Sequence, residues 1–342
     1  MKRFWQNKFK IFFLCGFVLL GLTGCSNPRG QDGKTLLDQV ISSETIEIKK
    51  GQVNVSDIKD KDLKKKYSKL DDDDTITIEP TTFKETIAHS WFDGLIVWPI
   101  AQLINVFAAM TDAGVGIILA TLLIQILIFA FTYKSQISMQ RMQEAQGELQ
   151  KIQDKYKGRD DDRSKMMMYQ ETQKIYEKYD IHPFGSILVT FIQFPVLMGM
   201  YYATMRAAAV AYGSFLGMPL SETPIDAFKS IPTGNTNWGP IIVFVLMLVF
   251  QLLTVKLPQL LKKYQDKKDH VKVKKYLQQD KNPMGNQMNM TMYMMTAMIG
   301  FLALSWPIAM SFYWLVSSMI RSIQTVVLHF VIANKDASKA KR

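Results

Sequence analysis

The chain has 342 residues, 48% hydrophobic and 21% charged, with a mean hydropathy of +0.01. That average, beside so many charges, means that apolar and charged residues sit in separate blocks. An ordinary soluble enzyme is set aside in favour of an all-α polytopic membrane protein. Lys and Arg number 41 against 30 Asp and Glu, a net charge of 41 − 30 = +11, which a cytoplasmic Lys/Arg bias explains without DNA or other nucleic acid. Two cysteines exclude a disulfide scaffold and a Cys-rich zinc centre. His89, His182, His270 and His329 are scattered without metal-ligand spacing, so no metal or other cofactor is expected.

The N-terminus reads as an export signal over residues 1–24. Lys2, Arg3, Lys8 and Lys10 precede the apolar run Ile11–Gly21, and small residues follow. Leu22-Thr23-Gly24-Cys25 resembles the bacterial lipobox, in which the cysteine is acylated, for example with palmitate, and becomes the first residue of the mature chain. That resemblance implies lipidation at Cys25.

Residues 25–90 read as a polar extracytoplasmic segment. Over 26–92 the counts are nearly balanced, 11 basic and 13 acidic. The run Asp71-Asp72-Asp73-Asp74 lacks the interleaved glycine and distal glutamate of a calcium loop, so it reads as a solvated charge run. Val53-Asn54-Val55 and Thr75-Ile76-Thr77-Ile78-Glu79 alternate as short strands do.

Trp91–Met110 mixes aromatic and apolar residues with Asp93, Gln102 and Asn105. It reads as an amphipathic helix at the membrane interface. Uncharged stretches long enough to span follow at about 114–133, 184–205, 239–255 and 288–305, and a fifth runs 308–332 through Arg321. Between the first two, 134–182 holds ten basic residues, and 256–287 holds nine against three acidic ones. Residues 207–238 hold only Lys229, and 333–342 form a basic tail. The basic loops face the cytoplasm, so the N-terminus lies outside and the C-terminus inside.

Residues 134–182 read as a cytoplasmic helical hairpin. Met142, Ala145, Leu149, Ile152 and Tyr156 recur at helical spacing, as do Met168, Ile175 and Tyr179 beyond the polar turn Gly158–Arg163. The second basic loop carries the breakers Pro258 and Pro283.

Three stretches carry a family likeness. Lys134-Ser135-Gln136-Ile137-Ser138-Met139-Gln140 leads into the hairpin. His182-Pro183-Phe184-Gly185 opens the second span, which continues Phe191-Ile192-Gln193-Phe194-Pro195. Trp306-Pro307-Ile308-Ala309-Met310-Ser311-Phe312-Tyr313-Trp314 opens the last. In order and spacing these resemble the YidC/Oxa membrane protein insertases, in the shorter lipoprotein form typical of Gram-positive bacteria, over about residues 91–330.

The resemblance implies a polar groove, closed to the outside, that admits a hydrophilic client segment part-way into the bilayer. The client's own apolar helix then drives release into lipid. Such a groove shortens the dry path for backbone groups that lose water in hydrocarbon. No nucleotide is needed, and the chain has no Gly-rich phosphate loop. Newly made membrane proteins are the implied clients, with the Sec translocon and the ribosome as further partners. Anionic lipid headgroups account for the basic loop and tail.

One departure matters. The family usually carries an arginine in the middle of the first span, and here Gln125 stands at that position. Gln keeps polarity and loses charge. Further groove candidates are Thr121, one turn before Gln125, then Gln251 and Trp314 at family groove positions, and Gln193 and Thr190 in mid-span. Gln193 beside Pro195 also reads as a partner for freed backbone. Arg206 reads as an interfacial anchor. The methionines clustered over 284–298 suit either ordinary packing or a surface that accepts varied apolar helices. Two other readings compete with an insertase: a non-inserting assembly factor, which the loss of the groove charge favours, and a solute transporter, against which stand the missing inverted repeat and intramembrane ion pair. No catalytic constellation marks an enzyme.

Overall fold

The computed structural model describes residues 28–58, 60–182, 185–234, 236–268 and 283–340. These are mostly helical. Cys25 and the basic stretch 269–282 lie outside the described residues. The chain divides into two compact units. The first holds the described part of Met1–Ala120 with Pro195–Ser221, and the second holds Thr121–Phe194 with Glu222–Arg342.

The first unit begins with a small α/β layer. Strand β1 (Ile46–Lys49) pairs antiparallel with β2 (Thr75–Ile78), with Ile46 opposite Ile78 and Ile48 opposite Ile76. Alternation puts Ile48, Ile76 and Ile78 inward, where they meet Val40, Val53, Val55 and Ile58. The alternation at 75–78 is thus a strand. Val53 and Val55 instead belong to a connecting segment and serve as core, with Asn54 forming a lone bridge to Leu36.

The aspartate run is a turn. Asp74 accepts from the Asp71 backbone N–H, while Asp73 and Asp72 meet Lys49 and Lys50 at 2.9 and 3.1 Å. These aspartates are exposed, so the pairs contribute little. Helix α1 (Lys61–Tyr67) starts where Asp60 caps the N–H groups of Asp62 and Leu63. Helix α2 (Phe83–His89) starts on a reciprocal Thr82–Glu85 capping box.

A π-helical turn, Asp93–Val97, runs into α3 (Trp98–Met110). The polar face of α3 holds the preceding layer. Trp98 Nε1 donates to Thr81 O at 2.8 Å and Gln102 Nε2 to Ser42 O at 2.9 Å. Asn105 Nδ2 donates to Ile41 O at 2.8 Å, and Asn105 Oδ1 accepts from Ala209 N at 3.1 Å. Ile41, fully buried, bonds Arg206 O and Ala208 N through its own N–H and C=O.

Arg206 corrects a reading. It is not an exposed interfacial anchor but is buried: Nη1 meets Asp93 Oδ2 at 2.9 Å and Nε donates to Gln39 O at 2.8 Å. Beyond it come α7 (Ala208–Ala211) and a two-residue β hairpin, β3 (Ser214–Phe215) with β4 (Met218–Pro219). Helices α4 (Ala113–Tyr156), α5 (Asp162–Lys178) and α6 (Gly185–Arg206) lie between α3 and this segment in sequence.

In the second unit, α4 runs on past the apolar stretch without a break into the charged region. Asp161 caps α5 by accepting from Ser164 N. Ala145, Leu149 and Ile181 form a seam between α4 and α5 with Met142, Ile175, Tyr176 and Tyr179. Glu171 joins Lys155 at 2.6 Å and Tyr156 Oη at 2.9 Å, and Glu148 joins Lys178 and Tyr179 Oη at 2.8 Å.

These bonds set a pH window. The Lys178 ammonium holds the Glu148 carboxyl below its usual range, and the Lys155 ammonium does so for Glu171. Both lysines are raised in return. A lowered carboxylate contributes fully above its unfolded value and loses its contribution as pH falls through the folded one. A raised ammonium loses its contribution only as pH climbs past the folded lysine value. Amide-exchange protection of 140–180 should therefore hold between about pH 5 and 10, once corrected for intrinsic exchange, and fall below about pH 4. Protection unchanged at pH 3 would show that the apolar seam alone holds the pair.

After α8 (Pro224–Lys229), helices α9 (Trp238–Lys268), α10 (Pro283–Leu304) and α11 (Ile308–Ala340) complete the unit. Helix α9 packs along α11.

Among the described residues four helical stretches are long and apolar enough to cross a membrane: Asp93–Met110, Ala113–Tyr156, Trp238–Gln265 and Ile308–Asn334. The first is the stretch expected at the interface. Its length and composition also suffice for a span.

Candidate functional site

Within the second unit, small hydroxyl residues let α11 lie close to its neighbours, and polar side chains meet across the contact. Ser311, Ser317 and Ser318 of α11 are fully buried. Gln125 of α4 is buried and its Nε2 donates to Ser317 Oγ at 3.1 Å. Thr121, one turn earlier, is fully buried. Gln251 Oε1 of α9 accepts from Ser318 Oγ at 2.8 Å. Thr254 Oγ1 lies 3.0 Å from both Ser318 O and Ser322 Oγ. In an apolar surround, each such bond spares a polar group from being buried alone.

Trp314 is buried and stacks on Trp306, ring centroids 5.0 Å apart at 9°. Gln193 reaches a side chain rather than backbone: its Nε2 donates to Tyr313 Oη at 3.4 Å. Thr190 lies in α6, its side chain outside the described residues.

A cavity of about 210 Å³ joins two of these candidates, Gln125 and Gln193. Its wall is rich in amides. Gln136, Gln140 and Gln143 continue down α4 from Gln125, and Gln324 faces from α11. Thr254, Arg321 and Thr325 complete the polar part, with Ile128, Met139, Val189, Pro258 and Leu328 between them. Gln251, Thr121 and Trp314 are not on this wall. A second cavity of about 200 Å³ shares Gln140, Gln143 and Pro258 and adds Glu144, Tyr179, Lys262 and His329. Lys262 Nζ caps Glu144 O there at 2.9 Å. The two cavities share Gln140, Gln143 and Pro258 on their walls.

Amides suit transient binding of a peptide. Each offers two donors and an acceptor, needs no proton transfer, and bonds water or backbone equally well. Sequence reading missed Gln136, Gln140, Gln143, Gln324, Thr254 and Arg321. A signal existed for three of them, since Gln136, Gln140 and Gln143 recur at spacings of four and three and share one helix face.

Long apolar helices with polar side chains meeting between them are those of a multi-pass helical membrane protein. The model of the 60Kd inner membrane protein family matches residues 105–335. The chain belongs to that family, the YidC/Oxa proteins. It is 30% identical over 253 residues to membrane protein insertase MisCA of Bacillus subtilis strain 168, covering 73% of this chain and 82% of that one. It is 28% identical over 269 residues to membrane protein insertase YidC 1 of Listeria monocytogenes serotype 4b strain F2365, covering 78% and 79%. Membrane protein insertase YidC of Oceanobacillus iheyensis is 27% identical over 237 residues, covering 69% and 82%.

Proposed function

We propose that this protein is a membrane protein insertase and chaperone. It admits hydrophilic segments of newly made membrane proteins into the amide-bearing cavity and releases their apolar helices into lipid. The observation that carries this reading is the cavity bounded by Gln125, Gln193 and Thr254 within a bundle of apolar helices. The names of its relatives point the same way. Water and amides in such a cavity replace the hydration that a polar segment loses in hydrocarbon, so less of its path is dry. The energy comes from the client helix partitioning into lipid, at about 25 cal/mol per Å² of apolar surface. No covalent step is required.

The arrangement proposed for the membrane has five spans, at about 114–133, 184–205, 239–255, 288–305 and 308–332. The α4–α5 helical hairpin and the basic segment 256–287, whose described ends belong to α9 and α10, face the cytoplasm, and Cys25 carries a lipid anchor outside. Ten and nine basic residues on the inner loops support that orientation. The 93–110 helix is placed at the outer interface. Support comes from its bonds to Thr81, Ser42 and Ile41, which lay a polar layer along its middle, where a spanning helix meets lipid. Anionic lipid, and the Sec translocon and ribosome, are the proposed partners of the basic surfaces.

Complementation tests the function. The protein is expressed in a bacterium depleted of its own insertase, and growth and insertion of a single-span client are followed. Rescue is the expected result. Failure of both the native protein and Gln125→Arg, each at normal membrane levels, would overturn the insertase reading in favour of a non-inserting assembly factor.

A further inference from the structure

We propose that the second cavity, walled by His329 of α11 and Lys262 of α9, is a binding site for the headgroup of an anionic phospholipid, a glycerol phosphodiester; its depth rests on the membrane arrangement proposed above. The cavity lies within the second unit and measures about 200 Å³, with Gln140, Gln143 and Glu144 on its α4 side. Pockets that hold a whole drug-sized molecule measure roughly 300–1,000 Å³, so this one takes a headgroup rather than a peptide helix.

His329 is 6% exposed and lines the cavity, and among the described residues its Nε2 has no hydrogen-bond partner. A buried ring nitrogen in that condition costs free energy until a group is brought to it. Lys262 supplies the charge. Its Nζ donates to Glu144 O at 2.9 Å and to Gln143 O at 3.3 Å, which fixes the ammonium and leaves its third N–H for a ligand. A positioned ammonium and an imidazole N–H both suit phosphate oxygens.

The wall carries acceptors too, the Glu144 carboxylate and the amide oxygens of Gln140 and Gln143. A bare phosphate dianion donates nothing to them, whereas the hydroxyls of a glycerol headgroup do. Depth names the source of the phosphate. His329 lies three residues, about 5 Å along the helix, before the proposed inner end of the last span at 332. Gln140 and Lys262 each lie seven residues, about 10 Å, beyond the proposed inner ends at 133 and 255. The headgroup layer, about 5–8 Å deep beyond the hydrocarbon on each side, falls between these levels.

The full-length protein in nonionic detergent is titrated with dioctanoyl phosphatidylglycerol and, separately, with dioctanoyl phosphatidylcholine. Bound lipid is followed by native mass spectrometry and by thermal melting. Phosphatidylglycerol should bind about tenfold more tightly and raise the melting temperature. His329→Phe keeps the bulk of the ring without its nitrogens. It should melt no lower than the native protein when free of lipid, yet lose most of the preference. Lys262→Gln should lose the preference too, and it carries the test where His329→Phe fails to fold. Lys263→Gln, at an exposed lysine outside the cavity wall, should keep it. Equal binding of the two lipids, or a preference kept in both cavity variants, would overturn the proposal. So would an equal loss in Lys263→Gln, which would mean a diffuse basic surface. Displacement of the lipid by inorganic phosphate or glycerol phosphate at equal concentration would make soluble phosphate the ligand and overturn it as well. Complementation remains a separate readout. Rescue by a protein with no lipid preference keeps the insertase and overturns this site, and a preference without rescue does the reverse.

Discussion

Arg206→Met should release the 28–90 layer from the helices that hold it. Arg206 and Asp93 are both buried, with 7% and 9% of their side chains exposed. Removing one member of a buried pair leaves the other uncompensated, at a cost of about 3–5 kcal/mol. Since 1.4 kcal/mol is tenfold, local opening should become about a hundred- to several-thousandfold more frequent. His89 also lies 3.3 Å from Asp93, but it is more than half exposed and compensates little. Loss of the Arg206 bond to Gln39 O adds to the effect. Protease cleavage within 28–90 and amide exchange at Ile41 and Ala208 are the readouts. Adding Asp93→Leu to Arg206→Met should recover much of the loss, because a well-packed apolar pair carries no desolvation cost. A single mutant as protected as the native protein would show that the pair holds nothing.

Asn105→Leu should loosen the same junction by an independent route. Ile41 O still accepts from Ala208 N after the change, so it is not orphaned. Ala209 N is, because Asn105 Oδ1 is its acceptor. One lost bond and one unsatisfied donor come to about 2–4 kcal/mol. Asn105→Asp should not rescue, although it keeps an acceptor for Ala209 N. Its second oxygen would face Ile41 O, putting two acceptors together in a buried site. Melting of the detergent-solubilised protein and exchange at Ala209 measure both variants. Because Arg206 holds Gln39 and Asn105 holds Ile41, two residues further along the same segment, the combined Arg206→Met and Asn105→Leu protein should lose less than the sum of the two. Full additivity would show that the two ties hold different segments.

Much of the helical framework was legible because span-length apolar blocks leave few alternatives. The β strand at 75–78 was legible by its alternation. What escaped was set by distant partners. Arg206 looked like an anchor because its partner, Asp93, lies more than a hundred residues away in sequence. Val53 and Val55 alternate like a strand, yet their neighbours came from the 36–58 and 75–78 segments. Trp91–Met110 carries enough apolar residues for either an interfacial or a spanning helix, and no periodicity decides between them. Polar residues inside apolar runs were visible as such; of those, Gln125 and Gln193 line the cavity and Gln251 does not. Arg321 was passed over as an interruption of a span. Which of these residues share a cavity depends on how the helices pack, and spacing within one helix does not show that.

The 44-residue helix Ala113–Tyr156 has a mechanical consequence. It contains no proline and is about 66 Å long, roughly twice the thickness of the hydrocarbon layer. Gln125 on the cavity wall and Glu148 in the ion pair with Lys178 ride the same rod, 23 residues and about 35 Å apart. With no joint between them, a tilt of about 5° at the charged end displaces the other by about 3 Å over that length. Whatever grips the charged end of this rod carries the cavity wall with it.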